Sequence, residues 1–114
     1  MKNKQKLHER FMRDPLPRRL VGLSATFGRI SSSARESLDP AQVANLLDEA
    51  KHLIEWTAAD TEPEIAAELV AMQRLIVLWQ KVWVKTQAMT EQRTLLAAQA
   101  KCWSDQALGF SGLL

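Results

Sequence analysis

An all-α fold follows from three observations. Apolar residues recur three and four apart along most of the chain, and no apolar/polar alternation lies between turn signals. The breakers are few: four glycines and four prolines, with three of the prolines before residue 41. The expected architecture is an antiparallel bundle of three or four helices with a long third helix. A basic N-terminal arm, residues 1–15, precedes this helical domain of residues 16–114.

In the arm, Leu7 and Phe11 lie four apart among five bases, a weak helical pattern. Asp14-Pro15-Leu16-Pro17 then interrupts the chain, since each proline disfavours helical geometry in the residue before it. The first full helix is expected from Pro17 to about Ser33, with continuation to Ser37 as the longer alternative. Its stripe is Leu20, Leu23, Phe27, Ile30 and Ala34. Gly22 and Gly28 weaken it by about 1 kcal/mol each relative to Ala and leave room for a neighbouring helix.

The next helix starts sharply, with Asp39 as N-cap, Pro40 at the first helical position and Gln42 three residues after the cap. Val43, Leu46, Leu47, Ala50, Leu53, Ile54 and Thr57 make its buried face. Thr61 and Glu64 have the spacing of a capping box and predict the start of the third helix. Its stripe is Ile65, Leu69, Met72, Ile76, Trp79 and Trp83. A second row at seven-residue steps (Leu75, Val82, Met89, Leu96, Trp103, Phe110) widens the apolar face. An unbroken helix to about Leu108 would be nearly 70 Å long by the usual rise per residue. The alternative is a separate fourth helix capped at Met89-Thr90-Glu91. Gly109 is expected to end the helix in either case.

The chain of 114 residues and 12.9 kDa can bury roughly two thirds of its unfolded surface, enough for one core without disulfides. The single Cys102 excludes an intramolecular disulfide and fits a reducing compartment. With Trp103 and Leu108 nearby, a buried, inert thiol is expected. One Cys and two His fall short of the four ligands of a structural zinc site. No apolar stretch approaches the ~20 residues of a membrane span, and no secretory signal is apparent, so a cytoplasmic protein is expected. Clustered glycines and nucleophile elbows are absent, which argues against phosphate loops and acyl-transfer chemistry. Neither catalysis nor a cofactor is expected.

The net charge of +2 conceals three blocks: +7 over residues 1–35, −8 over 36–68 and +3 over 69–114. Opposite blocks can neutralise each other on folding, and the same basic block can meet an acidic protein or phosphates. Arg10, Phe11, Arg13, Arg18 and Arg19 are the candidate partner residues of the basic segment. The alternatives are a solvated arm, one folded against the chain's own acidic helix, or, with Leu7, Phe11 and Met12 among the bases, one docked on an anionic membrane surface.

Glu49-Ala50-Lys51-His52 has the Glu-x-x-His spacing of di-iron bundles, but no second such motif occurs, so a polar helix face is expected. Trp56 falls beside Asn45, Glu49 and His52 on the helical wheel. It can be half-buried core or an anchor for a partner. Ala66, Val70, Val77 and Val84 line the back of the third helix, where self-association into a homo-oligomer is expected.

Three stretches carry a resemblance: Arg13-Asp14-Pro15-Leu16-Pro17-Arg18-Arg19-Leu20-Val21-Gly22-Leu23, Ile54-Glu55-Trp56-Thr57-Ala58 and Ser111-Gly112-Leu113-Leu114. Together they resemble a family of small, all-helical, uncharacterised cyanobacterial proteins. The resemblance implies a bacterial cytoplasmic setting and transfers no activity and no functional residue. The sequence therefore points to a non-catalytic interaction module: an adaptor, an assembly factor or a small subunit of a larger complex. The alternative is a nucleic-acid-associated protein that binds phosphates through its basic N-terminus.

Overall fold

A computed structural model describes residues 2–36 and 39–112, with side chains from residue 4 onward. The Lys2 side chain, the longer helix alternative reaching Ser37, and Leu113-Leu114 of the last resemblance stretch lie outside the described residues. The chain is all-α, with α1 (Lys2–Arg13), α2 (Leu16–Glu36), α3 (Pro40–Ala58), α4 (Pro63–Thr86) and α5 (Thr90–Phe110). No strand occurs among the described residues.

α2 is the hub. It packs most extensively on α5 and also on α3, α3 packs on α4, and α4 meets α5 over a small area. Its predicted stripe, Leu20 to Ala34, is buried throughout. The helix runs through the serine triplet to Glu36 because buried Ser31 donates its hydroxyl to the Ala97 carbonyl of α5 at 2.8 Å. Ser24 and Ser104 exchange hydroxyl-to-carbonyl bonds of 2.8 and 2.9 Å across the same seam. Small residues bring the two backbones close, and side-chain hydroxyls satisfy the polar groups there. The ring of Trp103 lies 5.6 Å from that of Phe27.

α3 starts as its sequence predicts, with the Asp39 carboxylate accepting from the Gln42 N–H at 3.2 Å. α4 does not start at the Thr61/Glu64 capping box. Its N-cap is Glu62, without a side-chain cap bond, and Pro63 takes the first helical position. Proline's fixed φ preorganises that position, while the Thr61 hydroxyl donates backwards to the Ala58 carbonyl at 2.8 Å, closing the end of α3.

The turn at residues 87–89 separates α4 from α5, so the seven-step row belongs to two helices and splits. Leu75, Val82 and Met89 are exposed, whereas Leu96 and Trp103 are buried. The third-helix stripe holds: Leu69, Met72, Ile76, Trp79 and Trp83 are buried and Ile65 packs beside them. The buried indoles find partners, Trp79 with the Gln99 amide oxygen at 2.5 Å and Trp83 with the Pro40 carbonyl at 3.0 Å. Gly109 lies inside α5 rather than ending it. Gly112 adopts the left-handed conformation, with φ +71°, that follows the last turn.

Cys102 is exposed, contrary to the expected buried thiol. Leu96, Ala100, Trp103 and Ala107 form the inward stripe of α5, and the helical turn of about 100° per residue puts Cys102 beside that stripe, facing out.

Candidate functional site

The basic N-terminal segment is a helix seated on α3. On α1, Lys4, Leu7, His8 and Phe11 are three or four apart and therefore share one face. That face meets Trp56. The His8 ring stacks on the indole at 4.5 Å and 29°, and Phe11 approaches it at 6.1 Å. From α3 itself His52 lies 5.8 Å from the same indole. Half-buried Trp56 is thus flanked by both histidines of the chain.

Below the rings, α1 and α3 are joined by charge. Lys4 Nζ lies 2.9 Å from Asp48 Oδ2, with Lys51 at 3.6 Å and His52 at 3.8 Å from the same carboxylate. Burial works to raise the Asp48 pKa, but the Lys4 hydrogen bond and the nearby His52, Lys4 and Lys51 charges outweigh it. The carboxyl is held below its ordinary value. His52 Nδ1 lies 2.8 Å from the Asp48 carbonyl.

Lys4, Leu7, Asn45, Asp48, Glu49, His52 and Trp56 line an open cleft of about 490 Å³ between the two helices. The structure therefore brings together the α3 residues singled out from sequence: Asn45, Glu49, His52 and Trp56. Glu49 is drawn towards α2, where its carboxylate accepts from Arg29 and from the Thr26 hydroxyl, both at 3.2 Å. No serine, threonine or cysteine lines the cleft. Among the described residues no group of three or more His, Cys, Asp or Glu is placed to hold a metal ion. The cleft presents charged groups beside aromatic faces.

The remaining basic candidates divide. Arg19 is buried and acts within the fold: its guanidinium donates to the Asp14 and Trp56 carbonyls at 3.2 and 3.3 Å and pairs with Asp60 at 3.0 Å. Arg10, Arg13 and Arg18 are exposed. Arg10 and Arg13 join Lys6 and Glu9 around a shallow groove of about 410 Å³ on the outer side of α1.

The four residues named for self-association do not form a uniformly exposed stripe. Ala66, Val70 and Val77 are half-buried, and Val84 is 78% exposed. His8 and Asp48 are not among the residues that the sequence singles out, and Lys4 enters there only as one base of the N-terminal block. Their signals were the one-face spacing of Lys4, Leu7, His8 and Phe11, and an acid three and four residues before Lys51 and His52. No helix is long and apolar enough to cross a membrane among the described residues. Comparison with protein-family models, curated proteins and solved structures finds no match.

Proposed function

We propose that the chain is a non-catalytic helical interaction module, an adaptor, assembly factor or small subunit, that meets an acidic protein partner through α1 and its seat on α3. We read the four long helices as an antiparallel bundle, since short connections favour antiparallel neighbours, with α1 as its basic flank and a bacterial cytoplasm as its setting.

One observation carries this reading. Lys4, Arg19 and Arg29 are paired with Asp48, Asp60 and Glu49, whereas Lys6, Arg10 and Arg13 run along the outer face of α1 without an ion pair among the described residues. A row of bases at i, i+4 and i+7, on the side of α1 turned away from the Trp56 cleft, supplies steering charge for an acidic surface. The same row supports a second reading, contact with the phosphates of a nucleic acid, in which affinity would fall steeply with salt.

The test compares native-lysate pull-downs of the full chain and a Lys6→Glu/Arg10→Glu/Arg13→Glu variant. A specific protein captured by the wild type and lost by the variant supports the first reading; equal capture by both overturns it. Salt-titrated binding to DNA and RNA decides the second, which fails if neither binds at low salt.

A further inference from the structure

The outward side of α4 carries a pattern that its packing within the chain does not use. Glu68, Leu75 and Val82 lie seven apart, as do Glu64, Ala71, Leu78 and Lys85, and together they step by 4, 3, 4, 3, 4 and 3. This is the a/d spacing of a coiled coil. All seven are exposed: Leu75 is 37% accessible, Leu78 55% and Val82 41%. Alongside, Leu95 of α5 is 55% accessible and shares with Leu75, Leu78 and Val82 an open groove of about 420 Å³.

We infer that this face is a homodimer interface in which α4 pairs with α4 of a second copy, antiparallel about a two-fold axis. The seam is self-complementary in that direction. In an antiparallel pair, a positions of one helix face d positions of the other. One register places Leu75 opposite the second copy's Leu78, Ala71 opposite its Val82, and Glu68 opposite its Lys85. The two-fold axis repeats each contact, as an isologous interface requires.

Size and charge agree in this register. The small Ala71 receives the larger Val82, two leucine layers fill the centre, and an ion pair closes each end. A parallel pair would instead set Glu68 against Glu68 and Lys85 against Lys85, two like-charge contacts. Arg74 and Lys81 place like charges on one rim of the antiparallel pair, but both are exposed there and screened by solvent.

The distance from Glu68 to Lys85 is about 26 Å along the helix. A helix pair of that length buries on the order of 1,000 Å² in total, the lower bound for a specific interface. The dimer is accordingly a reversible one, with a Kd on the order of micromolar. This surface is separate from α1, and the inference goes beyond the proposed function and does not rest on it.

Sedimentation equilibrium of the full chain between about 1 and 500 µM tests it, with chain melting followed in parallel. The expected result is a mass rising with concentration towards twice 12.9 kDa. Leu78→Glu puts a carboxylate into both central layers and weakens association at least about a hundredfold. Its melting stays unchanged in the dilute monomer, because the side chain faces solvent there. Glu68→Lys and Lys85→Glu each weaken the dimer about tenfold, and the double swap restores it to within about threefold. Val84→Glu, exposed on a different side of α4, leaves it unchanged. A wild type that is monomeric at 500 µM overturns the inference. So does a dimer that survives Leu78→Glu, a double swap no tighter than the singles, or a dimer lost with Val84→Glu.

Discussion

Replacing Arg19 with leucine removes one side chain that ties three parts of the chain together. The side chain is 8% accessible, and its guanidinium bonds to the turn before α2 through the Asp14 carbonyl. It also reaches the last turn of α3 through the Trp56 carbonyl and the α3–α4 turn through Asp60. Leucine fills part of the volume but leaves two carbonyls without their donor, at about 1 kcal/mol or more each, and loses the charged bond. The total is about 2–3 kcal/mol, below the range for breaking a fully buried pair because the Asp60 side chain is 48% accessible. At the usual unfolding entropy per residue, each kcal/mol shifts the Tm of a domain this size by about 4 °C. Arg19→Leu should therefore lower it by roughly 8–12 °C. Asp60→Asn strands the buried cation beside a neutral amide and costs less, about 1–2 kcal/mol. The double variant should melt close to Arg19→Leu alone, since Asp60 then has no partner to lose. Differential scanning calorimetry reads all three. A drop below about 3 °C for Arg19→Leu, or strictly additive losses in the double variant, refutes the clamp.

Two further predictions concern α1 and the glycines of α2. The folded-state pKa of Asp48 is depressed, so its contribution is complete above the ordinary carboxylate range and is lost as pH falls through the lower folded value. Wild type should lose stability below about pH 4 more steeply than Asp48→Asn, and parallel slopes in pH-dependent melting would contradict this. A Cβ at Gly22 would lie 3.8 Å from the Phe11 ring, and one at Gly28 would lie 3.9 Å from the Ser104 hydroxyl, both ordinary contacts. Gly22→Ala and Gly28→Ala should each stabilise by about 0.5–1 kcal/mol in urea titration; destabilisation by either would show that the helices need the closer approach.

Much of the fold was legible because helix stripes are local. Leu20 to Ala34 and Asp39-Pro40-Ala41-Gln42 contain their own instructions, and the structure follows them. At Thr61 two start signals overlapped, and Pro63, whose φ is covalently fixed, prevailed over a side-chain cap. The second apolar row was visible but assigned to the core, because a seven-residue step looks the same whether it faces inward or outward. Only the turn at residues 87–89 decides which half is buried. Cys102 was placed inside on the character of its neighbours, although an offset of one residue from Trp103 turns it outward. At the site, Asn45, Glu49, His52 and Trp56 were found together because they share one helix. Lys4 and His8 were not, since their partners lie more than 40 residues away and periodicity carries no information over that distance.

The seam between α2 and α5 also shapes how the chain comes to be folded. Its hydrogen-bonded partners are 66 to 80 residues apart, so the most extensive helix contact closes almost the longest loop the chain offers. Helical proteins that fold fastest rely on neighbours in sequence; here α2 must wait for α5. During synthesis Leu23, Phe27 and Ile30 emerge well before α5, the helix that covers one side of them. Until then α3 packs on one side of α2, and the Ser24 and Ser31 hydroxyls lack the α5 carbonyls they bond in the fold. The core can therefore lock only once α5 has been made.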